Sequence, residues 1–229
     1  MREIVLDTET TGLDPEFGHR VVEIGCLELM NCVPTGRTFH AYLNPGREMP
    51  DEAFEVHGLS SEFLRDKPGF VEVADSLLEF LGDSQLVIHN AGFDLKFLNW
   101  ELAACGRRTC MPARAVDTLS LARQKFPGAP ASLDALCKRF NVDLSARTKH
   151  GALLDAELLA SVYMELTGGR QPGLVLAAMS ETRRIVIADR PIRIARPHAA
   201  SEDELAAHAA FVMAEIKGAI WLDVEAAAA

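Results

Sequence analysis

The feature that most restricts this chain is the tripeptide Asp7-Thr8-Glu9, set directly after the apolar run Ile4-Val5-Leu6. So short an aliphatic run, preceded only by Met1-Arg2-Glu3, reads as a buried strand over residues 4–7. In extended chain, residues i and i+2 project to the same side, so Asp7 and Glu9 converge on one point. Two carboxylates at the end of a buried strand repel each other unless a cation or a proton lies between them. Hard divalent ions such as Mg²⁺ or Mn²⁺ take oxygen ligands of this kind. The competing reading is a strand-end turn in which Asp and Thr satisfy backbone groups.

The pattern downstream limits the fold to one class. Residues 21–30 and 37–43 read as two further strands, the first broken by Gly25. Val71, Ala74, Leu77, Leu78 and Leu81 form a helical stripe over 71–81 that Gly82 closes. A strand at 85–89, a helix at 93–105 stopped by Gly106, and a brief strand at 115–117 come next. Helices over 119–126, 133–140 and 152–166 complete the run, and Gly168-Gly169 ends it. Strands first, then strands alternating with helices, predict an α/β domain with a mixed sheet over residues 1–170.

Beyond it the composition shifts. Pro172, Pro191 and Pro197 are interleaved with arginines 183, 184, 190, 193 and 196, which makes 171–200 a linker with little core of its own. Ser201-Glu202-Asp203-Glu204 is a capping box opening a helix, and Leu205, Ala209, Val212 and Ile216 line one face of it. Phe211 and Trp221 add apolar surface, so the segment 201–229 has to bury a face on the main domain or on a partner.

Bulk properties narrow the function classes. Among 229 residues, 48% are apolar and 24% charged, which excludes a chain disordered throughout. The formal charge of −10, from 23 basic and 33 acidic residues, argues against duplex binding driven by a broad basic face. It remains compatible with a site that grips a few phosphates through ions held by carboxylates. Cysteines 26, 32, 105, 110 and 137 form no Cys-x-x-Cys pair, and five is an odd number. Free thiols in a reducing compartment are expected. No apolar run reaches the roughly 20 residues of a membrane helix, and the N-terminus lacks a signal-peptide pattern, so a cytoplasmic location is expected.

Two more elements carry candidate chemistry. Asp94 closes His89-Asn90-Ala91-Gly92-Phe93-Asp94 just after a strand; an Asp there also complements a helix macrodipole. His150 precedes Asp155 in His150-Gly151-Ala152-Leu153-Leu154-Asp155. Five residues turn through about 500° on a helix, so the two side chains meet only if His150 lies in the loop before it. Gly151 would let that loop move, and a loop histidine is a candidate general base; otherwise it is a solvated surface residue.

Together, Asp-x-Glu, then Asp, then His-x4-Asp, with Val56-His57-Gly58 between, resemble the DEDDh family of 3′-5′ exonucleases. Within it the similarity is to the proofreading (epsilon) subunits of bacterial DNA polymerase III, over residues 1 to about 170. The resemblance implies a ribonuclease H-like fold with a mixed five-stranded sheet. It implies a 3′-5′ exodeoxyribonuclease that removes mismatched 3′-terminal nucleotides as 5′-monophosphates with two divalent ions, Mg²⁺ or Mn²⁺. Asp7, Glu9 and Asp155 would hold one ion, with Asp7 reaching the second and Asp94 supporting that second ion. His150 would take the proton from water, its unperturbed pKa of about 6.5 leaving it neutral in cells. The resemblance also carries over Glu52 and His57 as contacts to the terminal nucleotide. Leu13 and Phe93 are candidates to pack on its base, or else ordinary core; His57 before Gly58 equally suits a helix cap.

The tail fits the same picture. Gln171-Pro172-Gly173-Leu174-Val175-Leu176 resembles the short peptides that dock into the bacterial sliding clamp, and 201–229 the segment that binds the polymerase (alpha) subunit. Two tethered weak contacts reinforce each other through effective concentration. Three other readings compete. A DEDDh exoribonuclease acting on tRNA or short RNA would share the metal site and differ in contacts to the 2′-OH. A non-catalytic polymerase–clamp scaffold would not need all five acid and histidine positions filled. A small-molecule phosphatase or nucleotide-binding protein would show a Gly-rich phosphate loop, and neither Gly-x-Gly-x-x-Gly nor Walker A is present.

Overall fold

A computed structural model describes residues 1–145, 147, 149–168 and 199–216. Five strands form one sheet: β1 (Arg2–Thr10), β2 (Val21–Met30), β3 (Val33–Tyr42), β4 (Gln85–Ile88) and β5 (Ala115–Asp117), in the order β3-β2-β1-β4-β5. β1 runs antiparallel to β2, and β2 to β3, whereas β1–β4 and β4–β5 are parallel. The expected mixed five-stranded sheet is thus present. Eight helices accompany it among the described residues: α1 (Asp51–His57), α2 (Ser61–Leu64), α3 (Phe70–Leu81), α4 (Ala91–Ala104), α5 (Thr118–Lys125), α6 (Leu133–Phe140), α7 (Ala152–Leu166) and α8 (Glu202–Glu215).

The period-2 alternation of β1 and β2 divides the core into two layers. Ile4, Leu6, Ile24 and Cys26 point to one face and pack with Ala74, Leu77 and Leu81 of α3 and Leu95, Phe97 and Leu98 of α4. Val5, Leu27 and Leu29 point to the other, where Ala156, Leu159, Ala160 and Tyr163 of α7 cover them. Behind α7, its far side packs against Leu136 and Cys137 of α6 and Ala122 of α5. α7 is therefore enclosed on two sides, which explains its near-continuous apolar sequence. Glu3, buried on the α7 face, accepts a 2.7 Å hydrogen bond from the Tyr163 hydroxyl, so the burial is satisfied. All five cysteines are free.

Four expectations need correction. β1 does not stop at Asp7 but runs to Thr10, because β2 pairs with it as far as Thr10↔Val21. The Asp-x-Glu pair therefore lies inside a strand and not in a turn. Gly25 does not break β2, which passes through it unbroken in register with Asp7. β3 begins at Val33, four residues before the expected start, and α4 begins at Ala91, two before. The helices α1 and α2 were not expected at all; at seven and four residues they are too short to establish a 3.6-residue stripe.

Contacts divide the chain into two units, Met1–Val175 and Leu176–Ala229. In the second, α8 opens with the expected capping box: the Glu204 amide donates to Ser201 Oγ at 3.3 Å, and the Ser201 amide to Glu204 Oε2 at 2.8 Å. Residues 171–198 of the expected linker, with Gln171, Leu174 and Leu176, and also Lys217 and Trp221, lie outside the described residues.

Candidate active site

The site starts from the strand alternation. Asp7 and Glu9 share the face of β1 that carries Val5, which is the face α7 covers. Directly opposite Asp7 in the antiparallel register is Gly25. A Cβ built there would stand 2.3 Å from the Ala152 carbonyl carbon and from the Leu153 nitrogen. The missing side chain is what lets the first turn of α7 settle onto the sheet, and Asp155 occupies that first turn. Asp155 is thereby held, buried, over the acids of β1.

Asp94 reaches the same place from the other layer. It sits in the first turn of α4, which packs on the opposite face of the sheet. The four acids thus come from the strand β1 and from helices on both faces of the sheet. β4 pairs only with residues 3–5 of β1, so β1 projects past it and leaves room for the β4–α4 junction. The Thr8 amide and hydroxyl, at 3.0 and 2.7 Å, both donate to Asp94 Oδ1. Thr8, the residue between the two strand acids, thus anchors the third.

So many buried carboxylates are costly. Burial, then the charges of Asp94, Glu9 and Asp155, push the Asp7 carboxyl well above the usual carboxylate range. Burial with the charges of Asp155 and Glu23 raises Glu9 to about 8, and burial raises Asp94 to about 7 against the lowering effect of the Thr8 hydrogen bonds. Oxygen ligands forced together at this cost fit a hard divalent cation, which would relieve the repulsion. Glu9, His150 and Asp155 each offer a ligand atom within 4.8 Å of the others. Asp7 lies outside that triplet but is the neighbour whose pKa all three other acids raise.

His150 is exposed and precedes α7, as its spacing required, with Nδ1 3.2 Å from Asp155 Oδ2. Its loop is tied to α1: the His150 amide donates to the Val56 carbonyl at 3.3 Å, and Lys149 Nζ to the Phe54 carbonyl at 3.3 Å. Gly151 has extended backbone at φ −157°, a conformation open to any residue.

Beside the acids lies a cavity of about 650 Å³, lined among others by Glu9, Leu13, Glu52, His57 and Phe93. Leu13 is 84% exposed at its rim and is not core. Its loop is pinned by Arg20, whose guanidinium donates twice to Glu101 at 2.7 Å, and by the Lys96–Asp14 pair. Glu52 is exposed on α1. His57 does serve the helix end, since Nδ1 accepts the Leu59 amide at 3.0 Å, while Gly58 adopts φ 75°. That hydrogen bond places the ring proton on Nε2. The Thr10 backbone lies near, yet among the described residues no group completes a hydrogen bond to buried Nε2. Burial holds His57 below the usual histidine range, so it is a neutral donor facing the cavity.

Sequence reasoning missed two participants. Thr8, which in the sequence suits only a strand-end turn, instead donates to Asp94 from within β1. Arg147, three residues before His150, donates through Nε and Nη2 to the two Asp155 oxygens at 2.6 Å each. A cation inside an otherwise acidic constellation was the available signal.

Known proteins carry the same pattern. A family model described as an exonuclease matches residues 4–163. The chain is 60% identical over 174 residues to the DNA polymerase III subunit epsilon of Rickettsia felis, covering 75% of this chain and 76% of that one. It is 46% identical over 220 residues to the protein of the same name from Salmonella typhimurium, covering 90% of each. Among solved structures, Exonuclease X in complex with 5′-overhanging duplex DNA is similar with a TM-score of 0.58 at 25% identity, over 72% of this chain and 91% of that one.

Proposed function

The chain belongs to the exonuclease family and, within it, to the DNA polymerase III epsilon subunits, and on that premise we propose how its own residues carry out 3′-5′ proofreading. It is a nuclease of the DEDDh type with a ribonuclease H-like fold, dependent on divalent metal, and its substrate is DNA.

The observation that carries the mechanism is the convergence of Glu9, His150 and Asp155 within 4.8 Å, beside Asp7 and Asp94. Asp7, Glu9 and Asp155 would hold one Mg²⁺ or Mn²⁺ ion, and Asp7 with Asp94 would support a second. When bound, two such ions stabilise the attacking and leaving oxygens of an in-line displacement at phosphorus. His150 takes the proton of the attacking water. The 3′ oxygen of the penultimate nucleotide leaves, and a nucleoside 5′-monophosphate is released. Glu52 and the unpaired Nε2–H of His57 contact the terminal nucleotide, with Leu13 and Phe93 against its base; their shared cavity supports this assignment. Gripping one frayed end engages few phosphates, which reconciles a charge of −10 with a DNA substrate.

The test is a labelled DNA with a mismatched 3′ end, run beside a matched RNA, with Mg²⁺ or Mn²⁺ and then with EDTA. Metal-dependent shortening of the DNA from its 3′ end is expected, and no shortening by Asp7→Ala or Asp155→Ala variants that remain folded. Full activity of Asp7→Ala with Mg²⁺ present would end the mechanism.

In this reading the segment 201–229 binds the polymerase alpha subunit and 171–176 docks into the sliding clamp, and the protein works in the cytoplasm beside the replication machinery. The exposed apolar side chains Leu205, Phe211 and Met213 of α8 support the first. No described helix is long and apolar enough to cross a membrane. Removing residues 171–229 keeps nuclease activity and loses co-elution with the alpha subunit on size exclusion; unchanged co-elution contradicts the assignment.

A further inference from the structure

Arg147 stands where a cation is needed and where no catalytic step above uses it. Its side chain is only 8% exposed, and its fork spans both oxygens of Asp155, itself 4% exposed. Nη1 also donates to Asp134 of α6, so the guanidinium bridges an exposed acid and a buried one.

We propose that Arg147 is a built-in counter-ion that holds Asp155 before metal arrives, and that the entering divalent ion must displace it, so that this one side chain sets the metal affinity of the site. The inference rests on the assignment of Asp155 as a metal ligand.

Three observations carry it. First, Asp155 is the acid that shares a 4.8 Å cluster with Glu9 and His150, and its two oxygens are the two that Arg147 occupies. A metal ion at that cluster would share a carboxylate with a guanidinium, placing two cations side by side with little water to screen them. Second, Arg147 has somewhere to go. Asp134 is half exposed, so the fork can let go of Asp155 and remain anchored at the outer acid.

Third, the same side chain occupies the proposed base. Arg147 Nη2 lies 2.7 Å from His150 Nδ1, and a guanidinium can only donate. Against Arg147, Nδ1 can only accept, which takes its lone pair and puts the ring proton on Nε2, so the 3.2 Å approach of Nδ1 to Asp155 Oδ2 is not a hydrogen bond. An imidazole in that state has no free lone pair with which to accept a proton from water. Release of Arg147 frees the Asp155 oxygens for metal and the Nδ1 lone pair of His150 in one movement. Arg147 is accordingly a positioning residue, acting through Asp155 and His150.

The experiment is calorimetric titration of Mn²⁺ into the full chain, comparing wild type, Arg147→Gln, Arg147→Lys and Asp155→Asn, together with thermal unfolding in EDTA and in saturating Mn²⁺. Arg147→Gln is expected to bind Mn²⁺ about tenfold more tightly, or ~1.4 kcal/mol. Its melting temperature should fall in EDTA, with the loss shrinking in saturating Mn²⁺. Arg147→Lys keeps the charge but not the fork and should fall between the two. Equal or weaker Mn²⁺ affinity in Arg147→Gln, with the same thermal loss with and without metal, makes Arg147 a strut between α6 and α7 and overturns the inference. Should Arg147→Gln not fold, Arg147→Lys decides: tighter binding than wild type supports the displacement and unchanged binding overturns it. Asp155→Asn separates the two levels. If it binds Mn²⁺ as wild type does, the metal assignment of Asp155 fails, and the inference with it.

Discussion

α7 and α8 are nearly equal in length, at 15 and 14 residues, and are stabilised in opposite ways. α7 is preceded by Gly151, which offers no side-chain cap, yet nine of its residues are buried and it packs on the sheet and on α5 and α6. α8 has a complete capping box and three acids in its first turn, and every described residue from Ser201 to Ile216 except Val212 is exposed. One helix is held by tertiary burial, the other by local hydrogen bonds and the macrodipole. A helix held by packing can place a carboxylate to within a fraction of an ångström. A helix held by its own cap keeps its surface free for something else to bind.

That contrast makes changes around α7 costly to chemistry and changes in α8 neutral to it. After the complete loss expected of Asp155→Ala, the largest effect is at the residue leading into α7: His150→Ala should lower kcat on mismatched 3′-ended DNA by about 10²–10⁴-fold if the imidazole is the base. A loss below about tenfold in single-turnover kinetics would move that role elsewhere.

The next effect concerns the buried acids beneath α7. Glu9 at about 8, Asp94 at about 7 and the raised Asp7 all titrate higher folded than unfolded, so the native state binds more protons through the interval between. Stability without metal is then greatest at low pH within that interval and is lost as pH rises through the folded values, by up to about 1.4 kcal/mol per pH unit for each group. Thermal melts in EDTA should fall from pH 4.5 to pH 8, and Mn²⁺ should restore most at the top of that window. A melting temperature that is flat or rising in EDTA would mean the acids are not buried together.

Gly25→Ala should follow, at about 1–3 kcal/mol in urea unfolding, because its Cβ meets backbone of α7 that cannot yield as a side chain would. Any displacement of Asp155 that results should also depress kcat, since misplacement by about 1 Å can cost about 10²-fold. Wild-type stability and rate in this variant would show that α7 does not depend on the close approach. The smallest effect is Ser201→Ala, which should cost α8 about 1 kcal/mol, read as faster amide exchange over 202–215, with cleavage unchanged. Altered cleavage there would break the contrast between the two helices.

How far these features could be read in advance varied with how local their causes are. The capping box of α8, the spans of β2, β5, α6 and α7, and the need for His150 to lie off its helix all follow from neighbours in sequence. The reach of β1 beyond Asp7, through Glu9 to Thr10, did not, because the pairing that extends it comes from β2. Gly25 looked like an interruption when its reason lay in a helix more than a hundred residues away. α1 and α2 left no stripe to find, and Thr8 and Arg147 acquire meaning only from Asp94 and Asp155.

The residues alone determined that an acid pair spaced i and i+2 would follow a buried run, that two more acids and a histidine would come at set intervals, and that a capped helix would open at Ser201. Periodicity and spacing are properties of the chain itself, so they are legible before it folds. Only the tertiary structure decided that the acids arrive from both layers of the sheet, that a missing side chain at Gly25 sets the depth of Asp155, and that an arginine fills the charge gap among them. Those depend on which distant backbones pack against each other, and packing distance is written in no single stretch of sequence.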